Sequence, residues 1–227
     1  MGSLVVPDAL RPWVAGIDVT AAVGAAVVDM PDHATTLVVR SDREVVAMGP
    51  RTRAAYHHSE PGPSCLRIRL RPGRARDLLG RSVRDLADRA VPIRELPGLD
   101  LGRLADDPVG ALSAALAGRA VGNDLVAAAA ELLAGATVAG TAARLHVSER
   151  RLRTLFADGV GLSPKHFARI GRVRRVLATA PDLRWADIAA VAGYYDQSHM
   201  TAEFRHLMGV PPAAYAAGRR PAARPCG

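Results

Sequence analysis

Between Thr137 and Tyr215 the chain carries one local pattern twice, and this repeat constrains the fold more than any other feature. The first copy reads Ala142-Ala143-Arg144-Leu145-His146-Val147-Ser148, then Arg151-Leu152-Arg153 and Phe156. The second reads Asp187-Ile188-Ala189-Ala190-Val191-Ala192-Gly193, then Asp196 to Phe204. In each, a short helix with small residues on its inner face runs into a tight turn. A second helix with an apolar stripe at i, i+3, i+4 follows. This helix-turn-helix pattern presents its second helix to a DNA major groove.

Charge is concentrated in the same region. Residues 1–136 hold 16 Lys/Arg against 16 Asp/Glu, whereas residues 137–227 hold 14 against 6, so the whole excess of +8 lies in the repeat-bearing part. Such a local excess is the electrostatic footprint of a polyanion-binding domain, because neutralised phosphates release condensed counterions. Lys165 is the only lysine. The two cysteines, Cys65 and Cys226, supply neither a disulfide framework nor a C-x-x-C zinc site, and an intracellular compartment is the default. No uncharged apolar run approaches the roughly 18 residues of a membrane span, and Met1 to Arg11 lacks a secretory signal pattern. A cytoplasmic protein with no membrane partner is expected.

Short β-like runs fill the first part: Ala25–Val28, Thr35–Val39, Glu44–Met48 and Cys65–Leu70, where Leu66, Ile68 and Leu70 alternate with Arg67 and Arg69. Ala75–Leu79 and Val83–Arg89 read as helices. Pro97-Gly98 and Asp106-Asp107-Pro108 punctuate a connector that contains a helix over Val109–Leu116. From Asp124 the pattern is helical, apart from a Pro/Arg/Gly tail expected to be disordered. The resulting division is 1–100, an effector-sensing or dimerisation domain; 101–123, the connector; 124–217, a DNA-binding domain; and 218–227, the tail.

The first recognition helix is predicted to start at Ser148, an N-cap residue, with Glu149 in its first turn. Leu152, Leu155 and Phe156 form its buried stripe. Arg150, Arg153 and Thr154 then share the opposite face, with Arg151 to one side and Ser148 at the tip. The second is predicted over about Asp196 to Met208, with Met200, Phe204 and Leu207 inward. Gln197, Ser198, Thr201 and Arg205 face outward, a polar set suited to base edges. His199 and His206 read as packing or phosphate-edge residues, and Trp185 and Ile188 as core wedges. Pro164 to about Ala178 links the two units, and its Arg169, Arg172, Arg174 and Arg175 either graze the DNA backbone or, for some of them, form an ordinary solvated face.

Residues 137–217 resemble the DNA-binding domain of the AraC/XylS family of bacterial transcription regulators. The resemblance rests on Ser148-Glu149-Arg150-Arg151-Leu152-Arg153 with Phe156, on Val160 to Pro164, on Asp187-Ile188-Ala189 with Gly193 to His199, and on Phe204-Arg205 with Gly209 to Tyr215. Thr154 and Ala202 stand where the family commonly has arginine, and Gly171 where leucine is usual, a change that weakens the linking helix by about 1 kcal/mol. Leu66 to Gly73 and Asp77 to Gly80 resemble the short cupin-like domains found ahead of such DNA-binding domains. The resemblance implies a small β-rich half-barrel with helices that binds a small-molecule effector, forms a homodimer, or does both. An all-α domain of two helix-turn-helix units on a linking helix follows it.

The implied function is sequence-specific regulation of transcription through two successive major-groove segments of double-stranded DNA, with RNA polymerase as a further partner if the protein activates. The alternative is an enzyme fused to a DNA-binding domain, either a cupin-like metal enzyme or an alkyl-transfer repair protein. That alternative needs a clustered ligand set or an activated cysteine. His57-His58 does not supply one, since neighbours on a strand point to opposite faces. No cofactor, metal or catalytic residue is assigned, and Cys65 is expected to be buried and inert.

Overall fold

The structure, a computed structural model, describes residues 2–22, 24, 26–58, 62–95, 102–119, 121, 125–179 and 183–223. Among these the strands are β1 (Gly2–Leu4), β2 (Val14–Ala22), β3 (Ala26–Asp29), β4 (Thr36–Val39), β5 (Val45–Met48), β6 (Ala55–His58), β7 (Gly62–Leu70) and β8 (Ala90–Pro92). Six form an antiparallel sheet in the order β1-β2-β7-β4-β5-β8, and β3 pairs with β6 separately. On β7 the alternation of Leu66, Ile68 and Leu70 with arginines sets the register. Ile68 lies opposite Ile17 of β2 and Leu37 of β4, and all three side chains are buried in one row.

Helices α1 (Arg74–Leu79) and α2 (Pro108–Leu116) close this core, which gathers Leu10, Trp13, Leu78, Leu86, Leu104 and Leu112 behind the sheet. Thus α2, expected inside a connector, packs with the N-terminal unit. The helix expected over Val83–Arg89 is only a 3-10 turn at Arg84–Leu86. Asp88 takes a left-handed φ of 56°, which stops a helix, and its carboxylate accepts from Thr52 N and Oγ1 at 2.7 and 2.6 Å.

The second part is helical: α3 (Leu125–Leu132), α4 (Val138–Arg144), α5 (Glu149–Val160), α6 (Pro164–Ala178), α7 (Trp185–Ala192), α8 (Gln197–Met208) and α9 (Pro212–Ala216). Phe156, Ile170, Val173, Ile188, Met200 and Phe204 form its core. The chain is therefore an α+β, β-rich N-terminal unit followed by an all-α unit in which α6 joins two helix-turn-helix units, α4–α5 and α7–α8.

The described chain continues past α9 through residues 218–223. Arg219 N donates to Ala214 O at 2.9 Å, and the Arg220 guanidinium lies 3.5 Å from the centre of the Tyr215 ring while also donating to the Tyr215 carbonyl. The Pro97-Gly98 punctuation, Ala25, Asp124, Cys226 and the rest of the tail lie outside the described residues.

Candidate nucleic-acid interface

Each helix that a duplex would meet is anchored by a cap. Thr137 accepts from Gly140 N at 3.0 Å to start α4, and His146 turns the chain with a left-handed φ of 53°. Ser148 Oγ then accepts from Arg151 N at 3.2 Å to start α5. Leu152 and Phe156 are buried and Leu155 half-buried, so Ser148, Arg150, Arg151, Arg153 and Thr154 are all exposed together. Two of them hold internal bonds. Arg153 pairs with Glu149 at 2.5 Å on the exposed face, and Thr154 Oγ1 donates to the Arg150 carbonyl at 3.2 Å. An exposed i, i+4 ion pair contributes only a few tenths of a kcal/mol, so a phosphate or guanine edge competes with it readily.

In the second unit Gly193, with φ 83°, ends α7, and the Asp196 carboxylate accepts from His199 N at 2.7 Å to start α8. Ile188 of α7 is buried and Trp185 half-buried against the same core. Met200, Phe204 and Leu207 point inward. Gln197, Ser198, Ala202 and Arg205 are exposed and Thr201 is half-buried, which brings the expected polar set onto one face. Tyr195, at the tight turn before α8, is 94% exposed. His199 packs edge-on against Tyr194 at 5.4 Å.

The arginines of α6 depart from the expectation that they graze DNA. Arg169 Nε donates to Glu203 Oε2 at 3.0 Å, and Arg172 donates to both oxygens of the same carboxylate at 3.0 and 2.8 Å. Arg174 pairs with Asp32 at 3.3 Å, and Arg175 donates to the Ala192 carbonyl at 3.1 Å. All four are spent inside the molecule, and Arg169 in particular is turned onto α8. Glu203 is only 6% exposed. Burial alone would raise its pKa, but the bonds from Arg172 and Arg169 outweigh burial and hold it below the usual carboxylate range. Burial and this carboxylate push the Tyr194 hydroxyl above its usual range.

The sequence reading omitted Glu203, although its signal was present. It occupies a stripe position, i+3 from Met200 and i−4 from Leu207, where a carboxylate demands a buried cation.

Among the described residues no group of three His, Cys, Asp or Glu side chains is placed to hold a metal ion. His57 lies half-buried on β6 with Nδ1 4.0 Å from Asp29. Cys65 is a free thiol and is half-buried rather than buried. No helix among the described residues is long and apolar enough to cross a membrane.

Two capped recognition helices on a shared linking helix define a tandem helix-turn-helix domain of the DNA-binding class. More specifically, residues 141–218 match the family model described as a helix-turn-helix domain, of AraC type, the kind carried by DNA-binding transcription regulators. Several solved structures are similar in fold. The DNA-binding domain of AdpA, a global transcriptional factor solved with a target DNA, is 28% identical over 41% of this chain and 87% of its own, with a TM-score of 0.38. The C-terminal domain of AraT, a response regulator from Geobacillus stearothermophilus, is 22% identical over 46% of this chain and 92% of its own, with a TM-score of 0.40. The apo form of a single-substitution variant of ToxT from Vibrio cholerae is 11% identical over 89% of this chain and 96% of its own, with a TM-score of 0.47. No curated protein matches the chain.

Proposed function

We propose that the chain is a sequence-specific transcription regulator that reads two successive major-groove segments, with α5 in one and α8 in the next. One observation carries this reading. Two N-capped helices each bury an apolar stripe and expose a polar face, and they are joined by a helix whose 15 residues span about 22 Å. With the offsets of the recognition helices added, that length suits grooves about 34 Å apart.

The proposed division of labour follows the side chains. Arg150 and Arg153 suit guanine edges and Arg151 a phosphate, while Ser148 and Thr154 border them. Gln197 suits adenine, with Ser198, Thr201 and Arg205 around it. Arg169 is withdrawn from this set because Glu203 holds it. No reaction is assigned; the domain type is that of regulators. The protein is proposed to act in the cytoplasm on double-stranded DNA, with RNA polymerase as a further partner if it activates.

A small-molecule effector fits the same reading. A cavity of about 840 Å³ opens between the N-terminal unit and the helical one, lined by His33 and Arg71 on one side and by Leu133, Phe167, Gly171 and Arg174 on the other. Its size is that of ligand pockets, and a ligand there would touch both units.

The test is a footprint of the full chain on duplexes it selects from a random pool, beside the double variant Gln197→Ala, Thr201→Ala. Protection lost over one of two half-sites a helical turn apart is expected. An unchanged footprint and affinity would show that only the first unit engages DNA.

A further inference from the structure

The segment Thr52–Tyr56 belongs to the N-terminal unit yet runs along the C-terminal end of α8. Ala54 N donates to Leu207 O at 2.8 Å, and Tyr56 OH donates to Met208 O at 2.6 Å. Before them, the Thr52 carbonyl meets His166 Nε2 at 3.3 Å, and Thr52 itself is fastened to Asp88. The backbone is therefore pinned on both sides of Arg53.

Arg53 itself is exposed and reaches over α8, its Nη2 lying 3.4 Å from His206 Nε2. With Gln197, Thr201, Ala202 and Arg205 it lines an open groove of about 790 Å³, and no acidic residue lines that groove. Among the described residues no carboxylate lies within ion-pair distance of Arg53, in contrast to Arg169, Arg172 and Arg174 of α6. Burial, then the positive charges of Arg169 and Arg53, lower the pKa of His206 against the pull of Glu203.

A guanidinium on a pinned backbone, with no carboxylate partner among the described residues and a polar recognition face beside it, is suited to a phosphate. On α8 itself Ala202 contributes no cation to this groove, and Arg205 is the helix's own guanidinium there.

We propose that Arg53 binds a DNA phosphate flanking the segment read by α8, so that the N-terminal unit forms part of the DNA interface. The proposal rests on the reading of α8 as a recognition helix.

The test measures the affinity of the full chain across a salt series for one duplex of about 30 base pairs, enough for two half-sites, selected by the wild type. Arg53→Ala is expected to weaken binding about 5–10-fold and to reduce the slope of log K against log salt by about 1, the value of one phosphate contact. Its footprint thins only over the α8 half-site, and its melting midpoint is unchanged. Arg53→Lys keeps the slope, and adding Ala202→Arg to Arg53→Ala recovers most of the affinity. Unchanged affinity and slope in Arg53→Ala, alongside weakened binding in Arg150→Ala, overturns the role of Arg53 and leaves the recognition reading standing. A wild-type chain without salt-dependent duplex binding overturns both.

Discussion

His33 sits where the N-terminal unit meets α6, its ring 4.3 Å from that of Phe167, with Asp32, Arg69 and Arg174 as the charged groups around it. Its Nδ1 is buried and unpaired among the described residues. Burial lowers its pKa to about 4, against the pull of Asp32 and with help from Arg69 and Arg174. A histidine depressed in the folded state favours folding fully above the unfolded value near 6.5. That contribution fades as the pH falls toward the folded value, because the unfolded chain takes up the proton first. Between those limits the full chain is expected to lose on the order of 3 kcal/mol of stability. His33→Phe should flatten this part of a stability-against-pH curve measured by denaturant unfolding. Parallel curves for variant and wild type would show that His33 titrates as it does in the unfolded chain.

Helix α6 carries the signature of two partners at once, since one side holds α8 through Glu203 and another faces the cavity below the N-terminal unit. At Gly171 a Cβ would meet nothing within 4 Å, so the glycine keeps the cavity wall open rather than permitting a close approach. Gly171→Leu should therefore strengthen α6 by about 1 kcal/mol and raise the melting midpoint by about 2–4 °C. It should also abolish any change that small-molecule cell extract makes to DNA affinity. A midpoint that stays or falls means the side chain does not fit.

The recognition helices were legible in the sequence because caps and apolar stripes are local: Ser148 caps α5 as its pattern puts it, whereas Asp196, read as the first residue of the second helix, is the cap of α8. Strands β1, β2, β6 and β8 were not. On β2, for example, Gly16 and the alanines carry little β-propensity, and pairing with β7 far along the chain fixes the strand instead. Periodicity likewise separates the inner from the outer face of α6 but not solvent from a neighbouring unit, which is why Arg169 read as a phosphate ligand.

At the scale of the whole molecule, the N-terminal unit holds both recognition helices by the same end. The last carbonyls of a helix lack partners within it. Here Asp158 O near the end of α5 accepts from Val83 N at 3.0 Å, while Leu207 O and Met208 O at the end of α8 accept from Ala54 N and Tyr56 OH at 2.8 and 2.6 Å. Arg84 adds an ion pair to Asp158 at 3.2 Å. No residue of the helical domain's own pattern announces these contacts, since they come from segments of the N-terminal unit more than 70 residues away in sequence. A bracket closed on α5 and α8 at once, with α6 as its third side, turns the pair into a gauge of fixed opening. Each base pair inserted between two half-sites shifts the second by about 3.4 Å and rotates it by about 35°, and a braced pair cannot follow both displacements. One inserted base pair is thus expected to weaken binding by the full chain at least about tenfold, roughly 1.4 kcal/mol, in a gel-shift series of spacer lengths. Equal affinity across spacers would mean that the bracket opens on the duplex. A closed one makes the interval between two short words, as much as the words themselves, the thing this protein reads.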